Sequence, residues 1–325
     1  MRPDPHSSND KSAFVQGFSD PASCRLCPRR CGADRRGLPP GAGVCGMGAD
    51  AYVSRAALHM WEEPCLSGCR GSGAVFFAGC NLGCVFCQNR LISHPAPGSL
   101  PPGRPVSPEH LAEIFLRLQE RQKAHNINLV PPSHFVPAIA EALKLARRQG
   151  LRLPVIYNSG GYDLPQALRL LDGLVDIYLP DFKYWSSELA ALYSKAPDYP
   201  EVARAALGEM FAQAASPRFD REGMMVSGVM VRLLLLPGCL KDAEAVLDYL
   251  FAQYGNRIFY SIMNQYTPVA SPALEAFPGL CRPVKDNEYE ALLDYAQALG
   301  IENAFIQEGG AVSESFIPDF NDSGL

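Results

Sequence analysis

Residues 74–89 carry the sequence AVFFAGCNLGCVFCQN. The apolar run at its start predicts a short buried β-strand. Three cysteines, Cys80, Cys84 and Cys87, follow this run directly, so we expect them in the loop after the strand. Gly79, between the run and the first cysteine, permits the tight backbone path that three ligands around one metal group require.

The rest of the chain repeats an alternation of strand and helix. Further strands are predicted at residues 126–130, 154–157, 175–179, 229–236, 257–263 and 303–306. Helices are predicted at residues 108–118, 133–150, 165–172, 187–213, 241–254 and 287–299. Such alternation predicts an α/β fold with a parallel sheet and right-handed crossovers, closed or partly closed into a barrel. Ligands bind at the carboxyl ends of the strands of such sheets, which is where the three cysteines lie.

Composition excludes several classes of protein. The chain has 325 residues, of which 47% are apolar and 19% charged, as in an ordinary globular protein and unlike a disordered one. Its net charge of −5 offers no basic excess for nucleic acid or for anionic lipid. No uninterrupted apolar stretch has the length of a membrane span, and the polar N-terminal residues lack the apolar core of a signal peptide. We therefore expect a cytoplasmic protein without a membrane or nucleic-acid partner.

Cysteine is the most informative residue type. There are eleven cysteines, an odd number in a chain without a secretory signal, which favours metal binding over a disulfide framework. A four-iron cluster normally takes four thiolates, so a loop that supplies three leaves one iron free for another ligand.

A second cysteine set precedes the first strand. It consists of Cys24, Cys27, Cys31 and Cys45. The surrounding segment, residues 24–70, has no sustained hydrophobic period, so we expect it to depend on metal for its order. The spacing suits either tetrahedral zinc or an auxiliary iron–sulfur cluster and does not separate them. Cys65 and Cys69 could replace one of the four ligands or be free thiols, and Cys239 and Cys281 are expected to be structural.

These features predict four parts of the chain. They are a disordered tail at residues 1–23, a cysteine-rich metal-binding segment at 24–70, the barrel at 71–310 and a C-terminal tail at 311–325.

The C-x3-C-x2-C spacing of Cys80, Cys84 and Cys87, with the aromatic Phe86 before the last cysteine, resembles the radical S-adenosylmethionine (SAM) superfamily. The resemblance implies a partial (β/α)6 barrel, which the cysteine-rich segment would precede as an N-terminal metal-binding extension, and a catalytic 4Fe-4S cluster held by these three cysteines. It also implies that the amino and carboxylate groups of SAM bind the open iron. Reductive cleavage of SAM then produces a 5′-deoxyadenosyl radical that abstracts hydrogen from a substrate.

Further stretches resemble chains related to pyruvate formate-lyase-activating enzymes. They are residues 61–68, 77–82, 87–89, 176–183, 236–238 and 263–266. This resemblance implies an activase that takes hydrogen from a protein or peptide substrate, and a low-potential electron donor such as flavodoxin or ferredoxin. A radical SAM enzyme for a small molecule, or for another peptide modification, is the second hypothesis. An iron–sulfur electron carrier or zinc scaffold without SAM chemistry is the third.

The same resemblance implies the residues around SAM. Asp181 and Lys183 form an Asp-x-Lys motif expected against the SAM carboxylate and ribose, and Phe86 is expected beside the adenine. Gly160 would let the backbone approach the cofactor, and Asn158, two residues earlier, is also expected at the cofactor site. Arg232 either holds a carboxylate of SAM or substrate, or is an ordinary paired arginine.

Two departures from the family pattern concern the ends of the second and third predicted strands. The Gly-Gly-Glu motif that accepts the SAM amino group is missing, and Ser133 stands near its place as a substitute or as a helix cap. Asn158 stands where the activases have aspartate, which argues against their nearby cation site. Among the histidines, His134 is the candidate for a functional role.

Overall fold

The computed structural model describes residues 20–37, 43–94, 99–214, 216–307, 318, 320, 321 and 323–325. The described residues form one mixed sheet. Its strands are β1 (Ala51–His59), β2 (Ser72–Phe77), β3 (Arg104–Val106), β4 (Ile127–Val130), β5 (Val155–Ser159), β6 (Ile177–Pro180), β7 (Arg218–Phe219), β8 (Met225–Leu234), β9 (Phe259–Met263) and β10 (Ala304–Ile306).

The strand order is β10-β9-β8-β6-β5-β4-β2-β1-β3, with β7 beside β8. All seven strands from β10 to β2 in this order run parallel to their neighbours. In contrast, β1, β3 and β7 pair antiparallel. The predicted α/β fold with a mostly parallel sheet is confirmed, and each of the seven predicted strands corresponds to one parallel strand.

Helices lie between these strands. They are α1 (Pro64–Ser67), α2 (Arg90–Ser93), α3 (Pro108–Glu120), α4 (Val136–Arg148), α5 (Pro165–Leu168), α6 (Ser187–Ser194), α7 (Tyr199–Ala214), α8 (Leu240–Tyr254), α9 (Pro272–Glu275) and α10 (Asp286–Leu299), with 3-10 turns at Arg169–Leu171, Gly255–Arg257 and Pro278–Leu280. No helix in the described part of the chain is both long enough and apolar enough to cross a membrane.

Local sequence explains where the long helices begin and end. Ser107 caps α3 by accepting a hydrogen bond from the His110 amide, and a proline occupies the first turn. Gly150 and Gly300 follow α4 and α10 with φ angles of +107° and +86°, which a residue with a side chain rarely adopts. These glycines end the helices where the sequence predicts.

Burial of both faces explains why the parallel strands are apolar throughout. Every residue of β2 and of β6 is buried. Helices cover the outer face of the sheet, and the inner face surrounds the interior of the partial barrel.

The strand β1 was not predicted. It lies within residues 24–70, a segment in which the sequence shows no sustained period, and it pairs with β2 from Val53 opposite Phe77 to His59 opposite Ser72. Its small residues, such as Ala56 and Ala57, carry little hydrophobic signal, so the pairing depends on β2 rather than on local propensity. The strand predicted to be first is therefore second in the chain.

Two helix predictions were wrong in detail. Residues 187–213 form two helices rather than one, because Lys195 adopts a left-handed conformation with φ +52° and ends α6. The helix predicted from Ser133 begins at Val136. Ser133 does not cap it, because its side chain hydrogen-bonds the buried carboxylate of Asp163 instead.

The predicted tails lie largely outside the described residues, which exclude 1–19 and 308–317. The limits of the four parts stay predictions.

Packing of α3 against α4 should contribute strongly to stability. Leu143 on α4 is fully buried, whereas Leu192 on α6 is 53% exposed. We expect Leu143→Ala to lower the free energy of unfolding by about 2–5 kcal/mol because it leaves a cavity. Leu192→Ala, the matched control, should change it by less than about 0.5 kcal/mol. Anaerobic guanidinium unfolding measures both, and equal effects of the two substitutions would contradict this description of the core.

Candidate active site

A cavity of about 570 Å³ lies at the carboxyl ends of the parallel strands. All nine residues that the sequence assigns to the catalytic cluster or to SAM line it. They are Cys80, Cys84, Phe86, Cys87, Asn158, Gly160, Asp181, Lys183 and Arg232. Because the carboxyl ends of parallel strands meet at one edge, residues far apart in sequence reach a common space here.

Each of the three cysteine sulfurs in the cavity has one hydrogen-bond partner. The Leu82 amide donates to Cys80 Sγ at 3.4 Å. Ser194 Oγ, on α6, lies 2.9 Å from Cys84 Sγ, and Ser93 Oγ, on α2, lies 3.2 Å from Cys87 Sγ. When the sulfurs are thiolates, the hydroxyls donate and the sulfurs accept. The three partners come from three elements of the fold.

Burial opposes ionisation of these thiols. It raises the pKa of Cys80, and the charges of Cys84 and Cys87 add to this effect. Burial also raises the pKa of Cys84, against the opposing charge of Lys183. A cation that binds both thiolates would remove this cost, since metal binding releases their protons.

The backbone before Cys80 is held from two sides. Gly79 has a φ angle of +79°, and a Cβ there would lie 2.6 Å from the Cys45 carbonyl oxygen and 2.4 Å from Met47. His134 is buried, and its Nε2 lies 2.7 Å from the Ala78 carbonyl oxygen. Burial lowers the pKa of His134 to about 3, so the ring is neutral and Nε2–H donates. His134 therefore positions the cysteine loop.

The Asp-x-Lys motif is organised by Tyr199, which the sequence did not single out. Lys183 Nζ donates to Asp181 Oδ2. The Tyr199 hydroxyl accepts from the Lys183 amide at 2.9 Å and lies 2.9 Å and 3.0 Å from the carbonyl oxygens of Gly160 and Asp181. One buried hydroxyl thus fixes three residues that line the cavity.

Electrostatics keep Lys183 charged. Burial lowers its pKa, but the charge of Asp181 and then that of Cys84 outweigh burial and raise the pKa above its ordinary value. The Lys183 side chain is 16% exposed and lines the cavity, where its charge can meet an anionic group.

Arg232 is a paired arginine. Its Nε and Nη2 donate to the two oxygens of Glu63 at 2.9 Å each, and Nη2 also donates to Glu62. Asn128 on β4 donates to the other oxygen of Glu62 at 2.8 Å. Burial raises the pKa of Glu63, but the charge of Arg232 together with hydrogen bonds from Arg232 and Ser261 outweighs burial, so the pKa is lowered. The contact of Arg232 with SAM or a substrate carboxylate stays a prediction.

Three other residues are predicted to lie beside SAM, namely Phe86, Asn158 and Gly160. Phe86 is buried, and its ring centroid lies 6.0 Å from that of Tyr266. Asn158 is buried and accepts a long hydrogen bond of 3.5 Å from Arg232. A Cβ on Gly160 would lie 2.8 Å from Leu82, so the absence of a side chain permits close packing against the cysteine loop.

The sequence did not single out the side chains that hold these site residues in place. They are Glu62, Glu63, Ser93, Ser194 and Tyr199. The two glutamates lie in a stretch that carries the family resemblance, but nothing local indicates that they meet an arginine on β8.

The second cysteine set lies outside the cavity. Burial raises the pKa of Cys27 to about 12, with smaller contributions from the charges of Cys45, Cys24 and Cys31, so the four thiols are neighbours. In the described residues, no three His, Cys, Asp or Glu side chains, in this set or in the catalytic loop, surround the position of a single ion. A second metal remains a prediction.

The other cysteines have different surroundings. Cys65 and Cys69 line a separate cavity of about 490 Å³ near His125. The predicted structural cysteines, Cys239 and Cys281, are half-buried and exposed, respectively.

The residues present fit the cofactors that the resemblance implies. Of the described cysteines, only Cys80, Cys84 and Cys87 line the 570 Å³ cavity, which matches a cluster with three protein thiolates and one open iron. The ammonium of Lys183 and the carboxylate of Asp181 offer both charges to the zwitterionic end of SAM. Leu82 and Phe86 provide apolar surface.

Comparisons with known proteins find one similar chain and several similar folds. Uncharacterized protein MJ0674 of Methanocaldococcus jannaschii is 27% identical over 285 residues, which cover 86% of this chain and 76% of that protein. Among solved structures, methylornithine synthase (PylB) has a TM-score of 0.49 at 14% identity and covers 92% of this chain and 74% of its own. Streptococcus suis SuiB has a TM-score of 0.46 at 12% identity over 72% of this chain. This chain spans about half the length of SuiB, at 48%. Residues 74–207 match the model of the Radical SAM superfamily.

Proposed function

We propose that this protein is a radical SAM enzyme whose catalytic 4Fe-4S cluster is held by Cys80, Cys84 and Cys87. The observation that carries the proposal is that these three sulfurs share one cavity with the Asp181–Lys183 pair. The match to the radical SAM model over residues 74–207 supports the same assignment.

When bound, the cluster and SAM supply the reductive cleavage that generates a 5′-deoxyadenosyl radical for hydrogen abstraction. The protein binds and orients these cofactors and excludes water from the cavity. Lys183 faces the SAM carboxylate, and Tyr199 keeps Lys183 in place through its backbone amide. Phe86 and Leu82 shield the reactive centre from solvent, which protects a radical from side reactions.

The substrate is a protein or peptide, as in the glycyl-radical activases. Support comes from the cavity wall at β10, where Phe305, Ile306 and Gln307 line the cavity and Ile306 is 53% exposed. In the described residues β10 pairs only with β9, so its outer edge offers unpaired backbone groups to an extended peptide. A low-potential flavodoxin or ferredoxin is the proposed electron donor, and the proposed compartment is the cytoplasm.

Two other functions predict different results. A radical SAM enzyme for a small molecule would cleave SAM in response to low-molecular-weight compounds. An electron carrier or zinc scaffold would neither bind nor cleave SAM.

SAM cleavage tests the proposal directly. We expect the anaerobically reconstituted and reduced protein to convert SAM to 5′-deoxyadenosine, measured by chromatography and mass spectrometry. Cys84→Ala should abolish this product, because two protein thiolates cannot maintain the open-iron cluster. Cys281→Ala changes an exposed cysteine outside the cavity and is the matched control.

Binding measurements separate the candidate functions. Wild-type protein that contains the cluster but does not bind SAM would refute the enzyme proposal and favour the electron carrier. Persistent cleavage by Cys84→Ala would refute the cluster assignment. Stimulation of cleavage by the macromolecular fraction of a cell extract, and not by the small-molecule fraction, favours a protein or peptide substrate; the reverse favours the small-molecule alternative.

Asp181→Asn and Lys183→Ala should weaken SAM binding while the iron content stays unchanged. Each removes a charge-assisted contact of about 1.5–3 kcal/mol, which corresponds to roughly a 10- to 100-fold higher Kd. Lys241→Ala, at a lysine whose side chain is 88% exposed, is the control. Equilibrium dialysis with SAM measures affinity, and unchanged values in both variants would refute this placement of SAM.

Ser194→Ala should shift the cluster potential. The substitution removes the hydroxyl beside Cys84 Sγ, and loss of a hydrogen bond to a cluster sulfur makes reduction less favourable. We expect a more negative potential in an EPR-monitored redox titration without SAM. Ser187→Ala, at the exposed start of the same helix, should leave the potential unchanged. Equal potentials for Ser194→Ala and wild type would exclude this role.

A further inference from the structure

The second cysteine set packs behind the catalytic loop and not in its cavity. Of the residues that the structure describes, Cys24, Cys27, Cys31 and Cys45 do not line the 570 Å³ cavity. The Cys45 carbonyl oxygen instead lies against Gly79, where a Cβ would be 2.6 Å from it. These thiols therefore have no role in holding the catalytic cluster.

Backbone amides face two of the sulfurs in this set. The amide of Arg29 faces Cys27, and the amide of Met47 faces Cys45, each from two residues further along the chain. The same relation joins the Leu82 amide to Cys80 in the catalytic loop. Amides in this position can donate hydrogen bonds to sulfurs that bind a metal.

Glycines allow the sulfurs to converge. Gly46, directly after Cys45, has a φ angle of +70°. At Gly43, a Cβ would lie 3.3 Å from Cys31 Sγ and 4.0 Å from Cys45 Sγ, so both sulfurs approach one point of the backbone. A side chain at this point would occupy the space between them.

A buried cation beside the set requires negative charge. Arg35 is 4% exposed, and its guanidinium donates to the Met47 and Gly48 carbonyl oxygens and to Cys24 Sγ at 3.7 Å. No acidic side chain in the described ranges forms an ion pair with Arg35. The guanidinium carbon lies 5.7 Å from the centroid of the Phe135 ring, which offers only a cation–π contact, so the neighbouring sulfurs are the groups that can supply a full counter-charge. A metal with four thiolates carries that negative charge.

We propose that Cys24, Cys27, Cys31 and Cys45 bind one closed metal centre with four thiolate ligands, and that its metal is Zn²⁺. Zinc suits the position because a closed tetrathiolate site stabilises a segment with a small hydrophobic core. Binding draws the sulfurs inward from their present spacing, at which no three of them surround one ion. The centre does not depend on the proposed catalytic function.

The centre would also support the catalytic loop through Arg29. The Arg29 side chain donates to the carbonyl oxygens of Asn81 at 2.8 Å and Ser194 at 3.1 Å. Asn81 lies in the catalytic loop, and the Ser194 hydroxyl contacts Cys84. Arg29 follows Cys27 by two residues. A metal bound to Cys27 would therefore fix the backbone from which the Arg29 side chain extends.

Metal analysis of the full chain tests the proposal. A variant with Cys80→Ala, Cys84→Ala and Cys87→Ala removes the catalytic ligands and isolates the second centre. We expect this variant to retain one zinc per chain and to lack iron after purification from medium that contains both metals, measured by inductively coupled plasma mass spectrometry. Adding Cys27→Ser or Cys45→Ser should remove the zinc, whereas adding Cys69→Ser, the control at an exposed cysteine, should leave it bound.

The possible results are distinct from those for SAM cleavage. Circular dichroism and unfolding midpoints show whether the triple variant is folded, so its metal content is informative even where Cys27→Ser fails to fold. A folded triple variant without zinc and without iron would overturn the proposed centre. Iron with sulfide and visible absorption would overturn the zinc assignment and identify an auxiliary cluster. Zinc that survives both serine substitutions would overturn the ligand assignment.

Discussion

The ion cluster of Arg232, Glu62 and Glu63 connects the two ends of the fold. Arg232 projects from β8 into the interior of the partial barrel, where an isolated guanidinium would be costly. Both carboxylates come from the segment between β1 and β2, 170 and 169 residues away in sequence. Removing one partner of such a buried ion pair lowers the free energy of unfolding by about 3–5 kcal/mol. The N-terminal segment is therefore bound to the barrel by an interaction that the barrel itself requires.

The fold was predictable where its signal is local. Each parallel strand is an apolar run, as in β2 and β6, because both faces are covered. The signal is lost where pairing depends on a distant partner. The strand β1 contains small residues and is stabilised by its ladder to β2, and the end of α6 depends on the conformation of Lys195. Neither feature has a period that a sequence window can detect.

In the candidate site, too, the sequence predicts only what has a local signal. Cys80 and Lys183 belong to short motifs, so their types and spacing suffice to single them out. Tyr199 has no such motif, and its importance comes from contacts with Lys183 and with the Gly160 carbonyl oxygen, 39 residues away. Residues that bind a cofactor are thus more visible in a sequence than residues that position them, because positioning requires only that a hydroxyl or a carboxylate reach the right place.

Hydrogen bonding makes the three cysteines of the proposed cluster site inequivalent. Cys80 receives its donor from within the loop, whereas the partner of Cys84 is a hydroxyl at the end of α6. Arg29 holds the carbonyl oxygen of that same Ser194, so the N-terminal cysteine set is linked to Cys84 through one side chain and one residue of backbone. Any change in the N-terminal set that moves Arg29 therefore reaches the environment of Cys84 first, while the amide donor to Cys80 stays in place. Since hydrogen bonds to sulfur help to set the potential of an iron–sulfur cluster, this segment could influence the proposed cluster without contacting it.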